Sequence, residues 1–353
     1  MIEQNSPYIS VIITAYNRKE YLLDAIKSVI NQTLDKKYFE IIVIKNYNDS
    51  KIDDFINKYN IINILSYDNS LSGKIYDAFK IANGNIISFL EDDDLFLPTK
   101  LKEIYDNFIN TPNLVYYHNN FIKTNSRLLE LNYNEHQKNK KIFLKLSKLN
   151  NIKIINYLIS KKFITLNMSA ITIRKSYFND CLEILKNIQM ALDMFFFFYL
   201  SGKSDNSKEI LICDKPLSIW FIHNSASNIS QNLGIKEFRN KNVTYIKAYL
   251  DSLTYIFNEF CSNSKNNLYN IYDNKQPLCN YIKITMAAYR AKLYLLNGDD
   301  INKNDIKLFL EFATIRRNIN LLGACILILL GKSISKKLSI KIFLHISYRL
   351  MTI

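Results

Sequence analysis

The stretch Ile86-Ile87-Ser88-Phe89-Leu90-Glu91-Asp92-Asp93-Asp94 decides how this chain is read. A short run rich in β-branched and apolar residues is what a buried parallel strand requires. Here it runs directly into four consecutive carboxylates. Ionised and unpaired, such neighbours repel one another strongly. A hard divalent cation relieves that repulsion, because Mg²⁺ or Mn²⁺ takes one or two carboxylates together with phosphate oxygens of a substrate. The structural alternative is an acidic cap on a helix starting near Pro98-Thr99-Lys100-Leu101, since acids suit that end of the helix dipole.

Working outward, Ile9 to Thr14 and Phe39 to Ile44 are two more buried strands, and Ile61 to Ser66 is another. Between them lie helical periods at Glu20 to Asn31, Ile52 to Tyr59 and Ile75 to Ala82, the last closed by Asn83-Gly84 as a C-cap. Strands alternating with helices predict a mostly parallel sheet flanked by helices. Ligands of such sheets sit beyond the carboxyl ends of the strands. Three polar clusters fall there: Thr14-Ala15-Tyr16-Asn17-Arg18, Lys45-Asn46-Tyr47-Asn48-Asp49, and Glu91 to Asp94. Strand-like pieces at Leu114 to Tyr117 and Ser169 to Ile173 then alternate with helical-looking stretches such as Lys138 to Lys148. From about residue 236 the pattern is helical, notably Val243 to Phe260 and Tyr281 to Leu296.

Composition allows a full core. Hydrophobic residues make up 48%, with 24 Tyr and 21 Phe against 7 Gly and 5 Pro, which excludes disorder and Gly-rich repeats. The five scattered cysteines form no CxxC pair, so reduced thiols are expected rather than a zinc site or disulfide framework. Met1 to Pro7 is polar and leads straight into a strand, so no signal peptide is read and a cytoplasmic location is expected. Residues 301–353 hold nine Lys or Arg against Asp305 and Glu311, about half of the net +14. Leu321 to Leu330 is too short for a bilayer, which needs ~20 residues. Lys336 to Met351 mixes apolar and basic residues, as either a packed terminal helix or one lying at the inner face of a membrane.

In order and spacing, Ile9 to Arg18, Leu22 to Thr33, Phe39 to Ile44 and Ala82 to Pro98 resemble the family 2 inverting GT-A glycosyltransferases. The resemblance is strongest over about residues 7–110 and weaker to about 230. It implies a GT-A, Rossmann-like domain over 1–232, with a nucleotide-sugar half (1–112) and an acceptor half (113–232). Residues 233–353 would be a helical extension. It further implies a nucleotide-sugar donor (UDP-, dTDP- or GDP-linked), a glycan or lipid-linked acceptor, and Mn²⁺ or Mg²⁺ as cofactor.

Position by position, Asp93 matches the second acid of the family's DxD motif, the metal ligand. Asp92 matches a residue near the ribose, and Glu91 stands at the first DxD position. Thr14, Ala15 and Tyr16 match the loop lining the nucleoside, with Arg18 close by. Asp193, in Met190-Ala191-Leu192-Asp193-Met194-Phe195, resembles the general base that opens an aromatic-rich helix; an ordinary acid at a helix N-terminus is the alternative. His223 resembles the histidine of a Tyr-Arg-x-His segment that approaches metal or diphosphate, although Phe221 replaces the arginine. Lys74 either approaches the diphosphate or is a solvated lysine. Where relatives read Asp-Asp-Gly-Ser, this chain has Lys45-Asn46-Tyr47-Asn48. Asn46 would then meet the base through an amide that both donates and accepts, leaving the base open.

Other readings explain less. A sugar-nucleotide pyrophosphorylase needs a Gly-rich loop after the first strand, which Thr14 to Lys19 lacks. Nucleic-acid binding would use the +14 charge but leaves the acidic run unexplained. An inactive GT-A nucleotide-sugar-binding protein fits Lys45 and Asn46 but not the retained Asp93, Asp193 and His223.

Overall fold

The computed structural model describes residues 8–68, 70–125, 140–203, 205–223, 234–262, 276–316, 319–333 and 335–352. The chain divides into two compact units. One comprises Met1–Leu149 with Lys161–Phe221, the other Asn150–Ser160 with Ile222–Ile353.

The first unit opens with β1 (Ile9–Ala15), α1 (Leu22–Ile30), β2 (Phe39–Lys45), α2 (Ser50–Lys58), β3 (Ile62–Leu65), α3 (Leu71–Ile81) and β4 (Ile86–Glu91). Then come β5 (Leu95–Phe96), α4 (Lys100–Asn110), β6 (Leu114–Thr124) and β7 (Lys141–Lys145). The chain passes through α5 (Ile152–Lys161), assigned mostly to the second unit, to β8 (Ile171–Arg174). Helices α6 (Lys175–Phe178), α7 (Leu182–Lys186) and α8 (Leu192–Lys203) lead to β9 (Glu209–Phe221).

The strands form one sheet in the order β3-β2-β1-β4-β8-β6-β9-β5, with β7 on β9. β3, β2, β1 and β4 are parallel, as their alternation with helices requires. β8 runs antiparallel between β4 and β6, while β6 and β9 are parallel again. All seven residues of β1 are buried, so both faces of the sheet are covered there. On one face Val11, Ile13, Val43 and Leu90 meet Leu22, Ile26 and Val29 of α1, Ile56 of α2 and Ile104 and Phe108 of α4. On the other, Phe89 of β4 stacks on Phe196 of α8 at 5.1 Å, and Phe178 closes on the same ring at 5.5 Å. Those aromatics explain why α8 is apolar all round: it is a core helix.

Several expectations change. Helix α3 ends at Ile81 with Ala82 as its cap, and Gly84 is not left-handed. Gly84 is needed because a Cβ there would lie 2.5 Å from the Ser10 backbone nitrogen. Gly84→Ala should push β1 off β4 and cost about 1–3 kcal/mol, the usual range for overpacking, readable as a lowered denaturant midpoint. Within the helical-looking Lys138 to Lys148, residues 138 and 139 lie outside the described residues. Lys141–Lys145 is a strand pairing antiparallel with β9, its lysines out and Ile142 and Leu144 half-buried, followed by a 3₁₀ turn at Leu146–Asn150. A two-residue alternation won over a helical period.

The second unit carries α9 (Ile235–Phe257), α10 (Gln276–Asn297), α11 (Lys303–Arg316), α12 (Ile319–Ser333) and α13 (Lys336–Thr352). Its core gathers Ala291, Leu295, Phe309, Ala313, Cys325 and Ile328. No helix among the described residues is long and apolar enough to cross a membrane. The expectation of reduced thiols fails for one pair. Cys261 and Cys279 are disulfide-bonded, with Cα atoms 5.8 Å apart, where α9 and α10 pack against each other. Cys181, Cys213 and Cys325 are buried and not disulfide-bonded.

Candidate active site

Strand register brings the three polar clusters together. Thr14 of β1 pairs with Glu91 of β4, and Ala15 with Lys45 of β2, so all three loops leave one edge of the sheet. Because β8 is antiparallel to β4, its amino end reaches the same edge: the Glu91 N–H donates to Ser169 Oγ at 3.0 Å. The acidic run caps no helix. It ends β4 and turns into β5, while α4 starts at Lys100 behind Thr99, with Glu103 as its first-turn acid.

Arg18 lies across the run. Its Nη1 donates to Asp93 Oδ2 at 2.6 Å and its Nη2 donates to Asp92 Oδ1. Burial pushes the Asp92 carboxyl up to about 7 even though Arg18 opposes the shift. Asp94 is sealed from solvent and pushed up to about 8 by burial and by Asp93. Glu91 is raised well above the usual carboxylate range by burial and then by Asp94, Asp93, Asp193 and Asp92. Five carboxylates therefore share one field, although no three His, Cys, Asp or Glu side chains among the described residues gather to hold a metal ion. Asp93 is 12% exposed, whereas Asp92 Oδ2 and Asp94 Oδ2 are buried acceptors without a hydrogen-bond donor. This set fits a cation that completes its shell with phosphate oxygens, not one held in a closed protein cage.

Asp193 sits in the first turn of α8, with the Met194 N–H donating to its Oδ1 at 2.9 Å. Burial pushes its carboxyl up to about 7, opposed by the backbone amides of Met194, Asp193 and Asn167. A base poised near neutrality is what deprotonation of a hydroxyl requires.

The nucleoside-side residues are placed as follows. Thr14 and Ala15 are buried at the end of β1, and the Tyr16 ring is 45% exposed. Lys74 is not a solvated lysine. It is 1% exposed, donates to the Asp68 carbonyl at 2.5 Å, and lies 4.7 Å from the centre of the Tyr16 ring. The Asn46 amide is engaged at both ends: its Oδ1 accepts from the Asn17 N–H at 2.9 Å and its Nδ2 donates to Asn17 Oδ1 at 2.8 Å. That clasp ties the first loop to the second and holds Asn17 at φ 54. Lys45 is a buried cation answered by Asp53 at 2.9 Å and by the Tyr47 carbonyl at 2.8 Å. His223 lies two residues beyond β9 and falls in the second unit. His136 lies outside the described residues.

Sequence reasoning missed a buried polar layer behind the acids. The Lys100 ammonium donates to Asn119 Oδ1 at 2.9 Å and to the Ser169 carbonyl, and burial drives its pKa well down. Asn119 donates to Ser218 of β9 at 3.0 Å. Asp94 Oδ1 accepts from the Phe221 N–H at 3.1 Å, fixing the end of β9 to the acidic run. In the sequence, Lys100 opens a helix and looks like any solvated lysine; only the fold reveals its burial.

Comparison with known proteins shows the family likeness in the first half of the chain. The sequence profile of glycosyl transferase family 2 matches residues 10–177. An uncharacterized glycosyltransferase of Methanocaldococcus jannaschii is 36% identical over 108 residues, 29% of this chain and 37% of that protein. The Escherichia coli UDP-Glc:alpha-D-GlcNAc-diphosphoundecaprenol beta-1,3-glucosyltransferase is 31% identical over 117 residues, 32% of this chain and 45% of that one. The matches thus span less than half the length of these curated relatives. Among solved structures, S. aureus TarS 1-349 in complex with UDP-GlcNAc superposes with a TM-score of 0.50 at 17% identity, covering 98% of this chain and 92% of that one, a likeness of fold. With the profile spanning β1 to β8, residues 10–177 of the chain form a glycosyl transferase family 2 domain.

Proposed function

We propose that the first unit transfers a sugar from a nucleotide-sugar donor to an acceptor hydroxyl, with inversion at the anomeric carbon. One observation carries this reading: a carboxyl poised near neutral pH, Asp193, shares the field of the Glu91 to Asp94 run at the carboxyl edge of the sheet. Asp193 takes the proton of the acceptor hydroxyl. The freed oxygen attacks the anomeric carbon opposite the diphosphate, whose bond to that carbon breaks as the nucleoside diphosphate leaves. Asp93, with the donor's phosphates, would hold Mn²⁺ or Mg²⁺, which when bound supplies Lewis-acid support for the departing diphosphate. Arg18 holds the Asp92 and Asp93 carboxylates in position, and Thr14, Ala15 and the exposed Tyr16 ring line the nucleoside. His223 as a second metal ligand rests on sequence resemblance alone, and metal affinity of a His223→Ala variant tests it.

The E. coli relative's name specifies a UDP-linked donor and an undecaprenol-diphosphate acceptor. That supports trying UDP-sugars first, and supports a role in polysaccharide or glycolipid assembly with a glycan or lipid-linked acceptor. Peripheral membrane contact belongs to this reading. On α12, Ile326, Leu329 and Leu330 are exposed on one face, and on α13 Leu338 and Ile342 are exposed beside Lys337 and Lys341. Flotation with anionic vesicles tests the contact; a protein that stays unbound contradicts it. The transfer reading is tested by proton NMR of the product. An α-linked donor should give a β-linked product or β-sugar hydrolysate first; initial release of the α-anomer contradicts inversion.

A further inference from the structure

Residues 162–167, the segment before β8, carry an unusual combination. Phe163 has φ 53 and Asn167 has φ 66, and Ala191, two residues before Asp193, has φ 65. A bulky side chain in the left-handed region is a backbone outlier, the kind that persists only where the surroundings over-determine it. The Phe163 ring is 46% exposed, so burial does not compensate for its backbone. What holds the segment lies beneath it. Buried Tyr116 donates to the Ile164 carbonyl at 2.9 Å, and buried His118 lies 3.1 Å from the Leu166 carbonyl through Nε2. The Leu166 N–H closes the turn onto the Phe163 carbonyl at 2.8 Å. Two buried polar groups of β6 therefore fix a strained turn that leaves Phe163 and Leu166, 39% exposed, outside. Neither side chain contributes to the core.

The turn ends at the base. Asn167 Oδ1 accepts from the Ser169 N–H at 2.8 Å, Ser169 Oγ accepts from the Glu91 N–H at 3.0 Å, and the Asn167 backbone amide faces the Asp193 carboxyl. An exposed aromatic ring beside an aliphatic side chain, on a rigid base, suits a flat apolar surface such as the C–H face of a pyranose, with the sugar's hydroxyls left at its rim.

We infer that Phe163 and Leu166 form the acceptor platform, on which a carbohydrate ring of the acceptor stacks by its C–H face while one hydroxyl reaches Asp193. This rests on the reading of Asp193 as the base. It commits to a saccharide, not a lipid chain, as what touches the turn.

Saturation-transfer NMR on the full chain tests it, with methyl β-D-glucopyranoside, methyl β-D-galactopyranoside and methyl N-acetyl-β-D-glucosaminide as probes and decyl phosphate as the lipid arm. At least one glycoside should saturate through its ring protons. Phe163→Gly should weaken that binding about tenfold or more while melting no lower than the native protein, since glycine accepts the backbone angle without strain. Phe163→Trp should keep the binding, and Leu166→Ser should weaken it. Donor affinity should not move in any of them. Absence of glycoside binding to the native chain overturns the inference, as does binding that survives Phe163→Gly or a Phe163-dependent signal from decyl phosphate alone. Asp193→Asn separates the two claims. Glycoside binding should persist in that variant, and unimpaired transfer there would remove the base while leaving the platform standing.

Discussion

Asp193→Asn is expected to lose transfer by about a thousandfold while binding donor as the native chain does. General-base catalysis contributes ~10²–10⁴-fold, and the amide keeps the size of the carboxyl but accepts no proton. The pH dependence carries a definite sign. Burial lifts Asp193 to about 7, so the base is ionised above that pH and protonated below it. Transfer should therefore rise with pH through about 7 and then level. Stability should run the other way. Between the ordinary carboxylate range and about 7, the folded chain holds a proton that the unfolded chain has released, so stability falls as pH rises across that window. The asparagine variant should show a flatter stability profile there, measurable as melting temperature from pH 5 to 8. A variant with native rates and a native profile would remove Asp193 from the chemistry.

The second large effect is expected at Asp93. It is the most accessible carboxylate of the run with a pairing cation, and Arg18 is shared between it and Asp92. Asp93→Ala removes the proposed metal ligand and leaves Arg18 on Asp92 alone. Lewis-acid stabilisation of a leaving group contributes several kcal/mol, which corresponds to a loss of about a thousandfold or more in rate. Mn²⁺-dependent strengthening of donor binding, read by calorimetry, should vanish with it. Full activity of this variant with a chelator present would end the metal assignment.

The parts legible in the sequence are those with local signals. β1, β2 and β4 are continuous apolar runs flanked by polar clusters, and parallel order then forces those clusters onto one edge. Asp193 is readable as the acid opening an aromatic helix. The illegible parts depend on distant partners. β5 is two residues long and exists because β9 pairs with it. The lysines of 138–148 suggested a solvated helix until an open edge of β9 made their alternation productive. Lys45 departs from the family pattern, yet Asp53, a helix residue eight positions on, gives its charge a partner inside the fold. Asn46 looked like a base reader by position, and its amide is committed to Asn17. The Cys261–Cys279 bond has no spacing rule to announce it, only the packing of α9 and α10.

The central claim is that the acidic edge binds a nucleotide sugar through a divalent cation and that Asp193 acts on the bound complex. Calorimetric titration of native, Asp93→Ala and Asp193→Asn chains with UDP-, dTDP- and GDP-sugars, each with Mn²⁺ and with chelator, tests it most directly. One donor class should bind the native and Asp193→Asn chains equally, with Mn²⁺ only, and should fail to bind Asp93→Ala. Binding that is indifferent to chelator and to Asp93, or no binding of any nucleotide sugar, would contradict it.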